Sequence, residues 1–200
     1  MRSLELRSTC RRSIRVALWR MTAFVLVFGL AQACRAGEGT QPGAGPDSVR
    51  VKAKAFLSVK KLPAGGDCEI IVLLKIQPGW HINSHSVVKE WQIPTELTVS
   101  SKYGTQLARV SYPKGRLAHV PGSEEPLPVY EGQATIRGVF TIPRDAAGQN
   151  EEFHIHVKYQ ACNDQECEQP KILKLAGKVH VAGEGEPVEE ANSNLFPKAR

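Results

Sequence analysis

The chain has 200 residues and a formal net charge of +6, and this charge is concentrated at its start. Residues 1–33 hold six Arg and one Glu, which leaves 20 basic and 19 acidic residues for the rest. A nearly neutral domain lacks the basic footprint of nucleic-acid binding, so we expect no nucleic-acid partner. Without its ends, the chain has the length of one domain with its own core.

The first 33 residues have the pattern of a signal peptide. A basic region precedes the apolar run Met21–Leu30, which is too short to span a membrane comfortably. Ala31 and Ala33 fit a signal-peptidase site before Cys34. We therefore expect an exported protein in which disulfides persist. Cys34 leaves lipid anchoring open as an alternative to simple secretion, and such an anchor is the only membrane attachment expected.

The rest of the chain follows the pattern of an all-β domain. The Gly- and Pro-rich residues 34–47 predict a flexible leader. About eight short strands and no helix are predicted, which favours an immunoglobulin-like antiparallel β-sandwich over residues 48–182. The Glu-rich residues 183–200 predict a disordered tail. The predicted strands lie near residues 48–59, 68–76, 78–85, 93–99, 107–112, 129–143, 153–158 and 171–175.

Two segments carry more specific expectations. The strand from Cys68 to Ile76 has one wholly apolar face, so this face is expected in the core with Cys68 as a quiet buried residue. Residues 113–128 are Pro-rich and contain too few apolar residues for a buried strand. They predict an irregular loop, and loops of this length are often lids or binding loops.

The most informative stretch contains a close pair of cysteines. Phe153–Lys158 alternates apolar and polar residues, as a half-buried strand does, and Lys171–Leu175 is a second extended run. Asn163-Asp164, between Cys162 and Cys167, is turn-forming. We predict a β-hairpin with one cysteine on each arm. Facing Cα atoms in such a pair lie about 4.5–5.5 Å apart, which permits a disulfide.

Spacing alone leaves a structural clip and an exchangeable disulfide equally open. A clip over this short loop adds on the order of 2 kcal/mol, whereas a tight hairpin tip is accessible to a partner thiolate. Asp164, Glu166 and Glu168 surround the pair, and Lys158 and Lys171 are the only cations nearby in sequence. Negative neighbours disfavour a thiolate, so we expect cysteines that react efficiently only when docked to a partner.

The motif Tyr-Gln-Ala-Cys at residues 159–162, followed by Cys167 and Pro170, is the most specific of several that resemble one family. The supporting motifs are Gly79–His85, Ile93–Thr95, Tyr112-Pro113 and Val129–Gly132. Together they resemble the N-terminal periplasmic domain of DsbD, the transmembrane thiol:disulfide interchange protein. The resemblance covers roughly residues 48–182.

This resemblance implies a sandwich whose cysteine pair relays electrons to periplasmic thioredoxin-fold proteins, with no cofactor and no metal. Cys167 would match the cysteine that forms the mixed disulfide and Cys162 the one that resolves it. Tyr159, Gln160 and Pro170 would support the pair. The sequence holds neither the membrane domain nor the thioredoxin-like domain of that family. We therefore expect redox activity only with partner proteins, including a separate membrane electron donor.

One departure from the family concerns the loop that covers the disulfide. The family's cap loop shields the disulfide with an aromatic residue, and the matching residues 118–125 contain none. Shielding would have to come from Val120, Leu127 or Tyr130, or be absent. Glu124 and Glu125 also belong to this predicted cap loop.

Two other classes of function stay open. Residues two apart on one strand face lie about 6.5–7 Å apart, so His154 and His156 could share a metal, but they also fit a solvent-facing polar stripe. His81 and His85, which flank Asn83 on one side of an extended run, are a second candidate pair. The cysteines lack a second close pair of ligands, so no metal site is assigned. A pure binding module would keep the disulfide as a structural clip.

Overall fold

Short antiparallel strands make up nearly all of the regular structure. The computed structural model describes residues 49–197. The strands are β1 (Val51–Leu57), β2 (Asp67–Ile76), β3 (His81–Asn83), β4 (Glu96–Ser101), β5 (Gln106–Ser111), β6 (Arg116–Ala118), β7 (Leu127–Glu131), β8 (Gln133–Thr141), β9 (Asn150–Tyr159), β10 (Ala161–Cys162) and β11 (Lys171–His180). A 3₁₀ turn, Arg144–Ala146, precedes β9.

These strands form three sheets, with the orders β1-β2-β8-β5, β11-β9-β4 and β10-β3-β7-β6. The first two sheets face each other across the core. There, Phe140 of β8 stacks on Phe153 of β9 with ring centroids 4.8 Å apart. All the pairings between these strands are antiparallel. The predicted all-β, immunoglobulin-like antiparallel β-sandwich is confirmed.

Alternation of apolar and polar residues explains which faces are buried. β8 and β9 bury every second residue, as a strand with one face on a core does. The predicted inner face of β2, from Cys68 to Ile76, is also buried. Cys68 is a free thiol in this face. Burial raises its pKa, which makes it an inert core residue.

The C-terminal segment differs from its expectation of disorder. Its described part, residues 183–197, lies along the first sheet, where Glu190 bridges Val59. Apolar residues on the outer face of that sheet explain the contact. Leu195 and Pro197 line the same depression as Ile71 of β2. Covering this outer apolar surface removes it from water, which the Glu-rich composition alone did not predict.

The segment 113–128 also contains more order than predicted. β6 forms within it and pairs with β7 at the edge of the third sheet. An edge strand needs only one partner and can leave its side chains in solvent. Arg116 and Leu117 of β6 are exposed, which explains why the sequence carries no pattern of burial there.

The predicted signal peptide, the leader and Cys34 lie outside the described residues. Within residues 49–197, no helix is long and apolar enough to span a membrane.

One buried carboxylate ties the start of β9 to the β4–β5 turn. Glu151 is fully buried. It accepts hydrogen bonds from the Thr105 hydroxyl at 2.6 Å and from the backbone N–H of Tyr103 at 2.9 Å and of Glu152 at 3.1 Å. Burial disfavours its charge, but these hydrogen bonds outweigh burial and hold its pKa below the ordinary value of 4.5.

Glu151→Gln is expected to lower the free energy of unfolding at neutral pH by about 1–3 kcal/mol, because an amide cannot accept from all three donors. A depressed pKa stabilises the fold above the unfolded-state pKa, and this stability is lost as pH falls through the folded-state pKa. Urea unfolding should therefore show the difference from wild type shrinking below about pH 4.5.

The control is Glu152→Gln, since Glu152 is a partly exposed neighbour paired with Lys178. Its effect on unfolding at neutral pH should be much smaller. A Glu151→Gln variant as stable as wild type at neutral pH would contradict this account of Glu151.

Candidate redox-active site

The cysteine pair lies in the connection between β9 and β11. Their ladder ends at Tyr159 and Lys171, and the chain between these residues continues beyond it. Within this connection, β10 leaves for the third sheet and pairs with β3. The predicted hairpin is present, but both cysteines lie in its extended tip, beyond the two long arms.

Cys162 and Cys167 form a disulfide, with their Cα atoms 4.0 Å apart. The side chain of Asn163 holds the turn between them. Its Oδ1 accepts hydrogen bonds from the N–H groups of Gln165 and Glu166, both at 2.8 Å. Side-chain capping of this kind is why Asn favours turns, so the local shape of the loop follows from its sequence.

The two cysteines differ sharply in accessibility. Cys162 is fully buried, while Cys167 is exposed to solvent. Cys162 packs against Val120, Leu127 and Val129 in a small apolar cluster separate from the main core. Of the two cysteines, only Cys167 is therefore accessible to an incoming thiolate.

The cover over Cys162 comes from the aliphatic residues of the cap loop region. Val120 and Leu127 are 0% and 1% exposed. These two residues shield the buried cysteine in place of an aromatic ring. Tyr130, the third shielding candidate, belongs to the main core instead. Its hydroxyl accepts a hydrogen bond from the His85 N–H and donates one to the Pro113 carbonyl, both at 3.0 Å.

The acidic residues of the cap loop lie on its surface. Glu124 is exposed. Glu125 is exposed as well and forms an ion pair with Lys89 at 3.1 Å. The Ser123 hydroxyl donates to the Glu125 carbonyl at 2.7 Å, and the Ser123 N–H donates to the Val120 carbonyl at 3.0 Å. These bonds give the loop a defined shape over the disulfide.

Gln160 connects the disulfide loop to β3. Its Nε2 donates to the Glu168 carbonyl at 3.2 Å, and its Oε1 accepts from the Asn83 side chain at 3.4 Å. Tyr159 is buried in the main core, where burial raises its pKa. Pro170 is exposed directly before β11. Gln160 therefore contacts the disulfide loop itself. Tyr159 anchors β9, the strand that precedes the loop, and Pro170 lies where the loop ends.

Asn83 is a buried hub that the sequence pattern did not mark as a site residue. Its Nδ2 donates to the Ile93 carbonyl at 3.1 Å, and its Oδ1 accepts from Gln92 at 3.4 Å. Its carbonyl accepts a 2.6 Å hydrogen bond from the Thr95 hydroxyl. Because buried polar groups are costly when unpaired, this network fixes β3 and, through Gln160, the disulfide loop.

The electrostatic environment of the pair differs from the expectation. Arg50, 118 residues away in sequence, bonds Glu168 at 2.9 Å and lies over the Trp80 ring at 4.0 Å. Lys171 bonds the other oxygen of Glu168 at 2.5 Å. Burial opposes the Glu168 charge, but these two cations outweigh burial and lower its pKa. Lys158, predicted as a nearby cation, instead pairs with Glu96 at 3.5 Å.

The net result is an acidic surface limited to the tip of the loop. Asp164 and Glu166 are exposed there, while Glu168 is paired. The exposed cysteine therefore sits beside two unneutralised carboxylates of the tip. Such neighbours disfavour its thiolate in the free protein.

The histidines that suggested a metal site are not grouped as ligands. His85 stacks on Tyr112 with ring centroids 3.8 Å apart, and its Nδ1 lies 3.1 Å from the Thr95 carbonyl. His154 and His156 lie on the solvent side of β9. Among residues 49–197, no group of three or more His, Cys, Asp or Glu side chains could hold a metal ion.

The antiparallel sandwich and its half-exposed cysteine pair are the features expected of a thiol:disulfide exchange domain, and the family match supports that class. Residues 50–173 match the family described as "Thiol:disulfide interchange protein DsbD, N-terminal". The chain therefore belongs to the family of DsbD N-terminal domains. No curated protein gives a significant match to it.

The solved structures that are similar to the chain include two N-terminal domains. One is the N-terminal periplasmic domain of ScsB from Proteus mirabilis, with 12% identity and a TM-score of 0.49, covering 76% of this chain. The chain spans 53%, about half, of that structure. The other is the Neisseria meningitidis DsbD N-terminal domain in the reduced form, with 15% identity and a TM-score of 0.40. The match covers 71% of this chain and 90% of the Neisseria meningitidis domain.

After reduction, Cys167 is expected to be alkylated much faster than Cys162, because only Cys167 is exposed. Val120→Ala should raise the alkylation rate of Cys162 several-fold, since it removes two methyl groups from the cover, and should leave the rate of Cys167 unchanged. Time-resolved iodoacetamide labelling followed by peptide mass spectrometry measures both rates.

Leu117→Ala is the matched control, because Leu117 lies on neighbouring β6 but is 74% exposed. It should change neither rate. Equal labelling of the two cysteines in the wild type would show that the cap does not shield Cys162 in solution.

Proposed function

We propose that this domain exchanges thiols and disulfides with thioredoxin-fold proteins of the periplasm, through Cys162 and Cys167. In this role it receives electrons from a separate membrane or thioredoxin-like donor and passes them to acceptors. The observation that supports the proposal most directly is the asymmetry of the disulfide, with one exposed and one fully buried cysteine.

Each half of this reaction needs a different cysteine. In the reduced domain, the thiolate of Cys167 attacks an acceptor disulfide and forms a mixed disulfide with one acceptor sulfur. Cys162 then attacks the sulfur of Cys167, the acceptor leaves as a dithiol, and the domain keeps the disulfide. Two electrons pass to the acceptor, and the donor reverses the sequence. No cofactor takes part.

The surroundings of the pair support activation by docking. Asp164 and Glu166 disfavour a Cys167 thiolate in the free domain. A partner that covers the loop tip with positive or uncharged groups removes this disadvantage. Because reactivity then depends on the docked complex, the domain reacts slowly with unrelated thiols and disulfides. This behaviour suits a carrier better than a general oxidant.

A cysteine-trapping experiment tests the proposed roles. Cys162→Ala fits the apolar cluster around this position and leaves Cys167 free to attack. Mixed with an oxidised periplasmic thioredoxin-fold protein, it should accumulate a covalent complex on non-reducing gels, because the domain lacks the thiol that would release the acceptor as a dithiol. Cys167→Ala, which keeps only the buried thiol, is the control and should trap little. Equal trapping by both variants would refute the assignment.

The reduction potential separates electron relay from a structural clip. We expect a midpoint of roughly −120 to −270 mV, in the range of known exchangers. The measurement equilibrates the domain in graded thiol buffers and counts alkylated cysteines by mass. A midpoint below about −300 mV would mark a structural disulfide and favour a binding module.

We also infer that the chain is exported and that residues 48–182 act as the mature domain. The basic and apolar pattern of residues 1–33 supports this inference. Intact mass of the protein from a periplasmic fraction tests it. A mass beginning at Cys34 without addition indicates secretion, and an added lipid mass indicates an anchor. A chain that retains residues 1–33 in the cytoplasm would contradict export.

A further inference from the structure

His81 lies directly opposite the buried cysteine. β3 pairs His81 with Cys162 of β10 on one side and with Glu131 of β7 on the other. Directly opposed residues of antiparallel strands lie on the same face, with Cβ atoms about 4.5–5.5 Å apart. The next row, centred on Ile82, packs into the main core. His81 and Cys162 therefore share the opposite face, where the cap covers Cys162.

The imidazole of His81 is buried with an unused nitrogen. The residue is 4% exposed. Its Nε2 is the only fully buried side-chain nitrogen or oxygen within residues 49–197 that has no hydrogen-bond partner. Such an atom costs free energy in the oxidised protein, and a state that supplies a hydrogen-bond donor would remove this cost. The state in question is the reduced one, because a disulfide sulfur has no proton to donate and a thiol has one.

Several charged or titratable groups surround this imidazole. Glu131 on β7 and Asp164 in the cysteine turn favour its protonation, and His119 of the cap loop opposes it. Burial outweighs the two carboxylates and lowers the pKa of His81. Its ring is therefore neutral at neutral pH and offers a lone pair.

Cys162, in turn, needs a base. It is fully buried, and burial in apolar surroundings raises the pKa of a thiol. Val120, Leu127 and Val129 provide such surroundings. A thiol of this kind is a poor nucleophile on its own, because the thiolate is the reactive form. The resolving step of the proposed exchange therefore requires a group that takes the Cys162 proton inside the site.

We propose that His81 is this group: its Nε2 accepts a hydrogen bond from the reduced Cys162 thiol and takes the proton when Cys162 attacks. This role rests on the proposed exchange function. The role is assigned to the only unpaired buried polar side-chain atom in the described part of the chain. The residue that carries this atom lies opposite Cys162, the buried member of the cysteine pair.

The resolving step starts from the mixed disulfide. The Cys162 thiol gives its proton to Nε2 of His81, and the resulting thiolate attacks the sulfur of Cys167. The bond between Cys162 and Cys167 forms while the bond between Cys167 and the partner sulfur breaks. The partner sulfur leaves with the electron pair as a thiolate. The proton on the imidazole then passes to water or to that thiolate.

The test follows resolution with a small aromatic disulfide, DTNB, so that no biological partner is needed. The full chain carries Cys10→Ser, Cys34→Ser and Cys68→Ala, which leaves only the pair to react. Cys167 releases one coloured thiolate as it forms the mixed disulfide. Cys162 releases the second as it resolves, and stopped-flow absorbance separates the two phases.

His81→Leu and His81→Gln should slow the second phase on the order of 100-fold at neutral pH, the usual contribution of a general base. The first phase should be unchanged. The pH profile of the second phase should move to higher pH, and its rate should approach that of the wild type where the Cys162 thiol ionises unaided. His154→Gln, at an exposed histidine of β9, is the control and should leave both phases unchanged.

A wild-type rate and pH profile in both His81 variants would overturn the proposal. A measurement on the chain with His81 intact covers the case in which the variants do not fold. The ¹⁵N resonance of His81 Nε2 should shift between the oxidised and reduced forms, since reduction supplies its hydrogen bond, while the resonance of His154 stays constant. An unchanged His81 resonance would overturn the proposal as well.

These outcomes are distinct from failure of the proposed function. A chain that fails to trap thioredoxin-fold proteins but shows His81-dependent resolution of DTNB would keep the role of His81 and remove the biological exchange. A chain that traps partners through Cys167 but resolves independently of His81 would keep the exchange and remove the base.

Discussion

The pairing of β10 with β3 is the constraint on which the site depends. It takes the chain from the sheet of β9 and β11 to another sheet, and it sets which way each residue of the loop faces. Cys162 turns to the cap and Ala161 to the main core. A shift of one residue would exchange these two faces and place the cysteine among core side chains. Because β3 also pairs with β7, the same register brings Leu127 and Val129 over the cysteine.

Polar contacts hold this arrangement without using either sulfur atom. Asn83 and Gln160 bond backbone groups and each other, while Arg50 and Lys171 hold Glu168 after the second cysteine. The loop is therefore supported on both sides of the disulfide by bonds that remain when the disulfide opens. Such preorganisation keeps the two cysteines close in the reduced form, which favours fast closure. The hydrogen bonds and ion pairs that fix the loop are thus separate from the disulfide that reacts.

Local patterns in the sequence predicted the strands, the hairpin and the turn, because alternation and Asn163 act over a few residues. The inner face of β2 was likewise evident from its apolar run. Contacts between distant segments could not be predicted in this way. Arg50 meets Glu168 across 118 residues, and β10 is too short to show any periodicity. The sequence named Val120, Leu127 and Tyr130 as possible shields of the disulfide but could not choose among them, because that choice depends on the strand pairing that packs Val120 and Leu127 onto Cys162.

Burial of Cys68 has a consequence for oxidative folding. Of the three cysteines in the described part of the chain, Cys68 lies 94 residues before Cys162, whereas the native pair is separated by five. In the unfolded chain, the difference in loop-closure entropy favours the native pairing by on the order of 2–3 kcal/mol. Once β2 packs, the thiol of Cys68 is buried and can no longer react with the other two cysteines. Among these three cysteines, a wrong crosslink therefore has little opportunity to form once β2 has packed.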